Sequence, residues 1–153
     1  MRHGEQMAGA GRFDIRQVAS WDVGDIADLY REGGWWCEEW DPGALQALIA
    51  GSFSFVVAVD RETGRAVGMG RVISDGISDA YVQDLVVRAA CRGQGIGERI
   101  LSLLVSTCTD AGISWIALIA EPETESFYRS RGFLVMEGYT PMKFGGDDDA
   151  CSQ

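Results

Sequence analysis

The chain has a single histidine, His3, and its four cysteines, Cys37, Cys91, Cys108 and Cys151, stand far apart without the spacing of metal ligands. A zinc-type centre is therefore not expected, so the metal expectation is none. With no histidine beside a cysteine, nothing would activate a thiol nucleophile, which argues against covalent catalysis through a cysteine. Reduced thiols are the expected state. No apolar run reaches the length of a transmembrane helix, and Met1 to Gly11 lacks the apolar core of a signal peptide, so a cytoplasmic location without membrane association is expected. Basic residues are also in deficit. Thirteen Lys and Arg against 23 Asp and Glu leave a formal net charge of −10, whereas nucleic-acid binding needs a basic footprint.

What is present is ordinary for one globular domain: 153 residues, 46% apolar and 24% charged, with no internal repeat and no second domain. Strands are predicted at Arg12 to Val18, Phe53 to Asp60, Ala66 to Ser74, Asp79 to Val87 and Ser114 to Ala120, with Arg61 to Gly64 as a hairpin-like connection. Helices are predicted over Asp22 to Arg31, from an Asp41 cap with Pro42 in first position to Gly51, from Ile96 to near Ala111, and over Glu123 to Arg131. Phe133 to Glu137 and Met142 to Phe144 would supply the last strands. Residues 1–11 are expected to form a disordered leader, 12–144 the domain, and 145–153, with Asp147 to Asp149, a mobile acidic tail.

The densest signal is Arg92-Gly93-Gln94-Gly95-Ile96-Gly97, which follows the apolar run Tyr81 to Val87 and opens the longest helix. Glycines at such a turn let successive backbone N–H groups converge on a phosphate at the positive end of the helix dipole. A P-loop would need Lys and then Ser or Thr after the last glycine, where Glu98 and Arg99 stand. The spacing is G-x-G-x-G and no βαβ unit surrounds it, so a dinucleotide fold is poorly supported too.

Arg92 to Gly97 resembles the (Gln/Arg)-x-x-Gly-x-(Gly/Ala) signature of the GCN5-related N-acetyltransferases. Phe127-Tyr128-Arg129-Ser130-Arg131-Gly132-Phe133 is similar to that family's second signature, F-Y-x-x-x-G-F. Both occur in the family's order, one helix and one strand apart, and the resemblance covers about residues 12 to 144. It implies a single-domain α/β fold, with a mixed, largely antiparallel sheet whose splayed central strand pair is flanked by helices. It implies acetyl-CoA as cofactor, lying between Tyr81 to Val87 and Ser114 to Ala120. In this sequence Ala89 and Cys91 replace the family's usual proline and aromatic, and Glu121 stands where many relatives have asparagine.

The resemblance also distributes roles. The pantetheine arm would meet the backbone of Leu85, Val86 and Val87, and the pyrophosphate the N–H groups of Arg92, Gly93, Gln94, Gly95, Ile96 and Gly97. Arg88, Arg92 and Arg99 would supply the local positive charge that an anionic cofactor needs on an acidic protein. The N–H of Leu85 or Val86 would hold the oxyanion, and the Tyr128 hydroxyl would protonate the leaving thiolate. Family members place a base, or residues holding waters, at positions matching Tyr81 and Gln83, neither of which is a good base. Strand alternation predicts Tyr81, Gln83 and Leu85 on one face and Val82, Asp84 and Val86 on the other. Asp84 inside an apolar strand is either paired structurally or functional, and Glu121 is another candidate water-holder.

Trp35 to Trp40, with Glu38, and the turn from Asp75 are the least family-like segments, and there aromatic faces beside carboxylates suit an amine cation. Trp35, Trp36, Glu38 and Asp75 are the candidate acceptor-binding residues, while Trp40 reads as a roof over the core. The expected activity is direct acetyl transfer to a small primary amine, and a homodimer is compatible with it. A non-catalytic acyl-CoA-binding module and a protein acetyltransferase, acting on lysine or an N-terminus, are the alternatives.

Overall fold

A computed structural model describes residues 11–145, so the expected leader and acidic tail, with His3 and Cys151, lie almost wholly outside the described residues. Strands β1 (Phe13–Gln17), β2 (Ser54–Asp60), β3 (Ala66–Ser74), β4 (Asp79–Val87) and β5 (Trp115–Ala117) form one sheet in the order β1-β2-β3-β4-β5. The first three pairings are antiparallel and β4–β5 is parallel. Every residue of β2 is buried, as its unbroken apolar run Phe55 to Val59 requires of a strand covered on both faces.

Two helical layers provide that cover. On one face lie α1 (Val23–Glu32) and α2 (Ala44–Gly51), whose Ile26, Leu29, Tyr30, Leu45 and Ile49 pack on Phe55, Val57 and Met69. On the other lies α3 (Ile96–Asp110), with Ile100, Leu101 and Leu104 fully buried against Val56, Ala58 and Val72. Each of these side chains contributes about 1.5–3 kcal/mol by leaving water, so α3 is held by its packed stripe more than by helix propensity. Asp22 caps α1 by accepting the Asp25 N–H at 2.9 Å. Asp41 instead holds a short turn through the Gly43 N–H at 2.9 Å, and α2 starts at Ala44, later than the Asp41 cap predicts.

Three expectations need correction. The fifth strand is only Trp115–Ala117, and α4 is the five residues Glu125–Arg129. Phe133 to Glu137 and Met142 to Phe144 form no strand, because nothing among the described residues pairs with them and an unpaired strand has no ladder to hold it. Cys37 is disulfide-bonded, not reduced, whereas Cys91 and Cys108 are free.

Candidate active site

The site begins with one irregular residue. Along β4, Gln83 pairs with Arg71 and Val86 with Met69, so Asp84 and Leu85 together face the single residue Gly70. Asp84 has a φ of 59°, a left-handed conformation uncommon for a side-chain-bearing residue and typical of a strained functional position. This bulge overturns the expected alternation. Leu85 packs with Val82 and Val87 on the α3 side, while Asp84 and Val86 turn toward α1. Gln83 and Asp84 consequently both line the open side of the sheet.

Asp84 Oδ2 accepts two hydrogen bonds of 2.6 Å, from the Tyr30 hydroxyl on α1 and from Arg71 Nε on β3. Among the described residues no hydrogen bond falls on Oδ1. One carboxylate oxygen therefore fixes the side chain and the other is left for a ligand. Burial, and next the Asp84 charge, push the Tyr30 hydroxyl well above the usual tyrosine range, so it remains an O–H donor.

Strands β4 and β5 pair only at Asp79–Trp115, Ala80–Ile116 and Tyr81–Ala117 and then diverge. From Val82 onward the β5 side of β4 is unpaired, and a cleft of about 700 Å³ opens there. Tyr81, Gln83, Asp84 and Leu85 line one wall; Leu118, Ile119, Glu121, Thr124 and Tyr128 line the other. Trp35, Trp40, Tyr30, Leu48 and Arg71 complete it. Trp35 Nε1 donates to Glu121 Oε1 at 2.7 Å, joining the loop after α1 to the chain beyond β5.

Tyr128 sits on α4 with its ring edge-on to Phe127 and Phe133, at centroid distances of 5.1 and 5.9 Å. Burial, and then the Glu121 charge, raise its hydroxyl above the ordinary tyrosine value, so the group keeps its proton across the neutral range. Cys108 is buried in the α3 core and burial raises its thiol as well, the opposite of an activated nucleophile.

At the cleft's end, β4 runs through the 3₁₀ turn Ala89–Cys91 into the glycine loop. Gly93 and Gly95 have φ of 75° and 77°, and Gly95 caps α3 in the left-handed conformation without a side-chain bond to the helix start. Among the described residues, no backbone N–H from Gly93 to Glu98 donates a hydrogen bond. Six donors at the positive end of a fifteen-residue helix are thus free, and an added Cβ at Gly93 would meet nothing within 4 Å. A pyrophosphate fits that cradle.

Each neighbouring arginine bonds a backbone carbonyl through one nitrogen. Arg92 Nε donates to Val87 O at 2.9 Å, Arg88 Nε to Ala66 O at 3.3 Å, and Arg99 Nη1 to Phe13 O at 3.2 Å. They brace the loop, and the donors facing a phosphate are main-chain. The Ala89 N–H donates to Glu32 Oε1 at 2.6 Å, a bond that proline at this position could not make. Gly97 plays a different part: it is helical, and a Cβ there would touch Phe127 at 3.6 Å and Val87 at 3.7 Å.

Several expected site residues fall outside the cleft. Trp36 stands against the Arg31 guanidinium, 5.3 Å from its ring centroid, and edge-on to Trp40. Glu38 pairs with Arg31 at 2.9 Å, and the Arg31 hydrogen bond lowers its carboxyl from the usual value. Asp75 accepts the N–H groups of Ile77 and Ser78 inside the β3–β4 turn. Each carboxylate is satisfied by a local partner. Trp40, read as a roof over the core, is 45% exposed and lines the cleft. Tyr30 and Arg71 were not singled out from sequence, since Tyr30 sits in the apolar stripe of α1 and Arg71 looks like any strand arginine; the unexplained Asp84 was the one signal that partners were needed.

A splayed parallel pair, a bulge beside the opening and a phosphate cradle at a helix start now stand together. The family description "Acetyltransferase (GNAT) domain" fits residues 28–143. The chain belongs to the GNAT acetyltransferases. Over 72 residues, 47% of this chain and 36% of the relative, this GNAT protein is 43% identical to serotonin N-acetyltransferase 2, chloroplastic, of Oryza sativa subsp. japonica. Over 94 residues, 58% of this chain and 57% of the relative, it is 32% identical to glucosamine 6-phosphate N-acetyltransferase 1 of the same plant. The chain thus spans less than two thirds of these curated relatives. Among solved structures, a GNAT-family acetyltransferase from Streptococcus pneumoniae TIGR4 superposes with a TM-score of 0.73 at 28% identity, covering 89% of this chain and 99% of that one.

Proposed function

We propose that this GNAT acetyltransferase transfers acetyl from acetyl-CoA to a small primary amine that carries an aromatic ring, by direct attack. The observation that carries the reading is the cleft itself, where aromatic walls surround a carboxylate with one free oxygen. Trp35, Trp40 and Tyr81 offer ring faces to an aromatic or cationic group, and Asp84 Oδ1 accepts an N–H of the amine and draws off its proton. The first curated relative named above is a serotonin N-acetyltransferase, which favours the same acceptor class.

Bound acetyl-CoA supplies an acetyl group already activated as a thioester. The N–H groups of Gly93 to Glu98 would hold its pyrophosphate, and the unpaired stretch of β4 from Leu85 to Val87 would offer backbone groups to its arm. The N–H of Leu85 or Val86, set beside the bulge, serves as the oxyanion donor. Tyr128 holds a proton on its hydroxyl and gives it to the leaving sulfur. Gln83 and Tyr81 orient the amine from the β4 wall, and Glu121, held by Trp35, closes the opposite side.

Thiol release should be followed with tryptamine, tyramine, glucosamine 6-phosphate and a lysine-bearing peptide as acceptors. The arylalkylamines should give the highest kcat/KM. A preference for the sugar phosphate or the peptide overturns the acceptor class, and intact acetyl-CoA binding with no release above blank for any amine overturns the enzyme reading in favour of a binding module. A cytoplasmic location belongs to the same proposal and is checked by cell fractionation.

A further inference from the structure

Glu32 is the last residue of α1, a place where local electrostatics argue against a carboxylate. The C-terminal end of a helix carries the negative end of its dipole, and Asp28 stands one turn earlier, a like charge at the spacing where like charges repel. Asp28 pairs with Arg31 and Arg65 at 2.9 and 3.1 Å, whereas among the described residues Glu32 has no ion-pair partner on its own helix. Helix α1 therefore gains nothing from this charge. The gain lies 57 residues further along the chain, where Glu32 Oε1 accepts the Ala89 N–H at 2.6 Å and stands 4.0 Å from Arg92 Nη2. Ala89 opens the 3₁₀ turn Ala89–Cys91, closed by two bonds of its own, from the Cys91 N–H to Arg88 O and from the Arg92 N–H to Ala89 O. The first N–H of such a turn has no partner within it, and Arg88, in the capping position, makes no side-chain bond to it. Glu32 is that missing cap, supplied by another helix. Because Arg92 also donates through Nε to Val87 O at 2.9 Å, one carboxylate gathers the end of β4 and the entry to the free donors of Gly93 to Glu98.

We propose that Glu32 is a positioning residue for the cofactor, fixing the backbone at Ala89 and through it the direction in which the glycine loop presents its N–H groups. The proposal rests on the reading that this loop holds acetyl-CoA. Without the carboxylate, Ala89 is a small residue free to rotate at the root of the loop, and every other orientation lowers the fraction of molecules able to bind. A proline ring would supply the same constraint covalently. Arg88 has a ψ of 138°, the extended conformation that a residue before proline requires, and the first position of a helical turn accepts proline because its N–H has no partner within the turn. Position 89 therefore accepts either of two locks, an anchored N–H or a closed ring, and only the first needs Glu32.

Calorimetry with coenzyme A, which binds without reacting, reads the effect. Glu32→Ala should weaken binding about tenfold, and Glu32→Gln, whose side-chain oxygen still accepts the N–H, about threefold. Ala89→Pro should stay within about threefold of wild type, and adding Glu32→Ala to it should cost less than about twofold more. With acetyl-CoA saturating, Glu32→Ala should keep the wild-type amine KM, which a general loosening of α1 would not allow because Tyr30 on the same helix holds Asp84. In the cofactor-free protein the Ala89 amide should exchange slowly with deuterium, and about tenfold faster in Glu32→Ala. Equal losses from Glu32→Ala in the wild-type and Ala89→Pro backgrounds would overturn the proposal, as would wild-type affinity in Glu32→Ala or a fast-exchanging Ala89 amide in the wild type. A wild type that fails to bind coenzyme A would overturn the reading of the loop as well, whereas one that binds while Glu32 proves indifferent overturns this proposal alone. The wild-type exchange measurement decides the matter even if a variant does not fold.

Discussion

The two ends of the cleft are built by different means. At the phosphate end, six consecutive main-chain N–H groups do the presenting, and side chains such as Arg92 and Glu32 only brace them. At the acceptor end, the main chain recedes and side chains from five segments meet: Tyr30 from α1, Trp35 from the next loop, Arg71 and Asp84 from neighbouring strands, and Glu121 beyond β5. A backbone device depends on torsion angles and tolerates most side-chain changes that preserve them. A side-chain device depends on each identity but can be rebuilt one residue at a time, as different acceptors would require.

The largest effect should come from attacking the backbone end at its torsion angle. Gly95→Val cannot adopt φ 77° without strain, and losing two or more charged hydrogen bonds should weaken acetyl-CoA binding on the order of 10³-fold by calorimetry. Gly97→Ala should instead stay within about twofold of wild type, since its Cβ makes ordinary contacts and its φ is helical. Equal losses in the two variants would erase the distinction between a torsional glycine and a packing glycine.

Tyr128→Phe tests whether chemistry depends on one hydroxyl between the two ends. Turnover should fall about 10²-fold with cofactor affinity nearly unchanged. The sign of the pH dependence follows from the raised hydroxyl: the active O–H form persists as pH rises, so the alkaline decline due to Tyr128 should lie above the ordinary tyrosine value of about 10. That limb should vanish in the phenylalanine variant. A wild-type rate under conditions where chemistry limits turnover would reassign the proton donor.

Asp84→Asn keeps the shape and an acceptor for Tyr30 but removes the charge. Because an amide cannot take the amine's proton, turnover should fall on the order of 10²-fold and the amine KM should rise about tenfold, while acetyl-CoA binding is unaffected. A parallel loss of cofactor binding would mean that the two ends are not separable. Trp35→Phe, which deletes the donor to Glu121, should raise the amine KM about threefold to tenfold. Glu38→Gln, altering an exposed ion pair outside the cleft, should change kcat/KM by less than about twofold.

This contrast explains what could be read without coordinates. The phosphate end is contiguous in sequence, and glycines with a required conformation leave a local signature; the sheet and α3 are legible because their apolar periods are long. Trp35 could be suspected from composition, but the choice among Trp35, Trp36 and Trp40 depends on how the loop turns after Gly34, a glycine with φ 78°. Glu38 and Asp75 looked free because their partners, Arg31 and the turn amides, become visible only in three dimensions. The last strands are absent among the described residues for a related reason: an apolar pattern reports that a segment suits a strand, not that a sheet edge pairs with it.

The bulge at Asp84 has a consequence for how β4 can change through evolution. Substitution leaves the count of residues between Val82 and Val86 intact, but deletion of Asp84 would restore a simple odd–even order. Val82, Leu85 and Val87 would all still face α3, two residues apart as alternation requires, and what would be lost is the bulge and the carboxylate it presents to the cleft. The strand should therefore keep its core contacts when the bulge residue is lost, whereas a one-residue deletion elsewhere in it would turn neighbouring core residues to the wrong face. In a deep insertion–deletion scan, Asp79–Val87 should contain one position, Asp84, where a deletion leaves the fold intact while removing the activity.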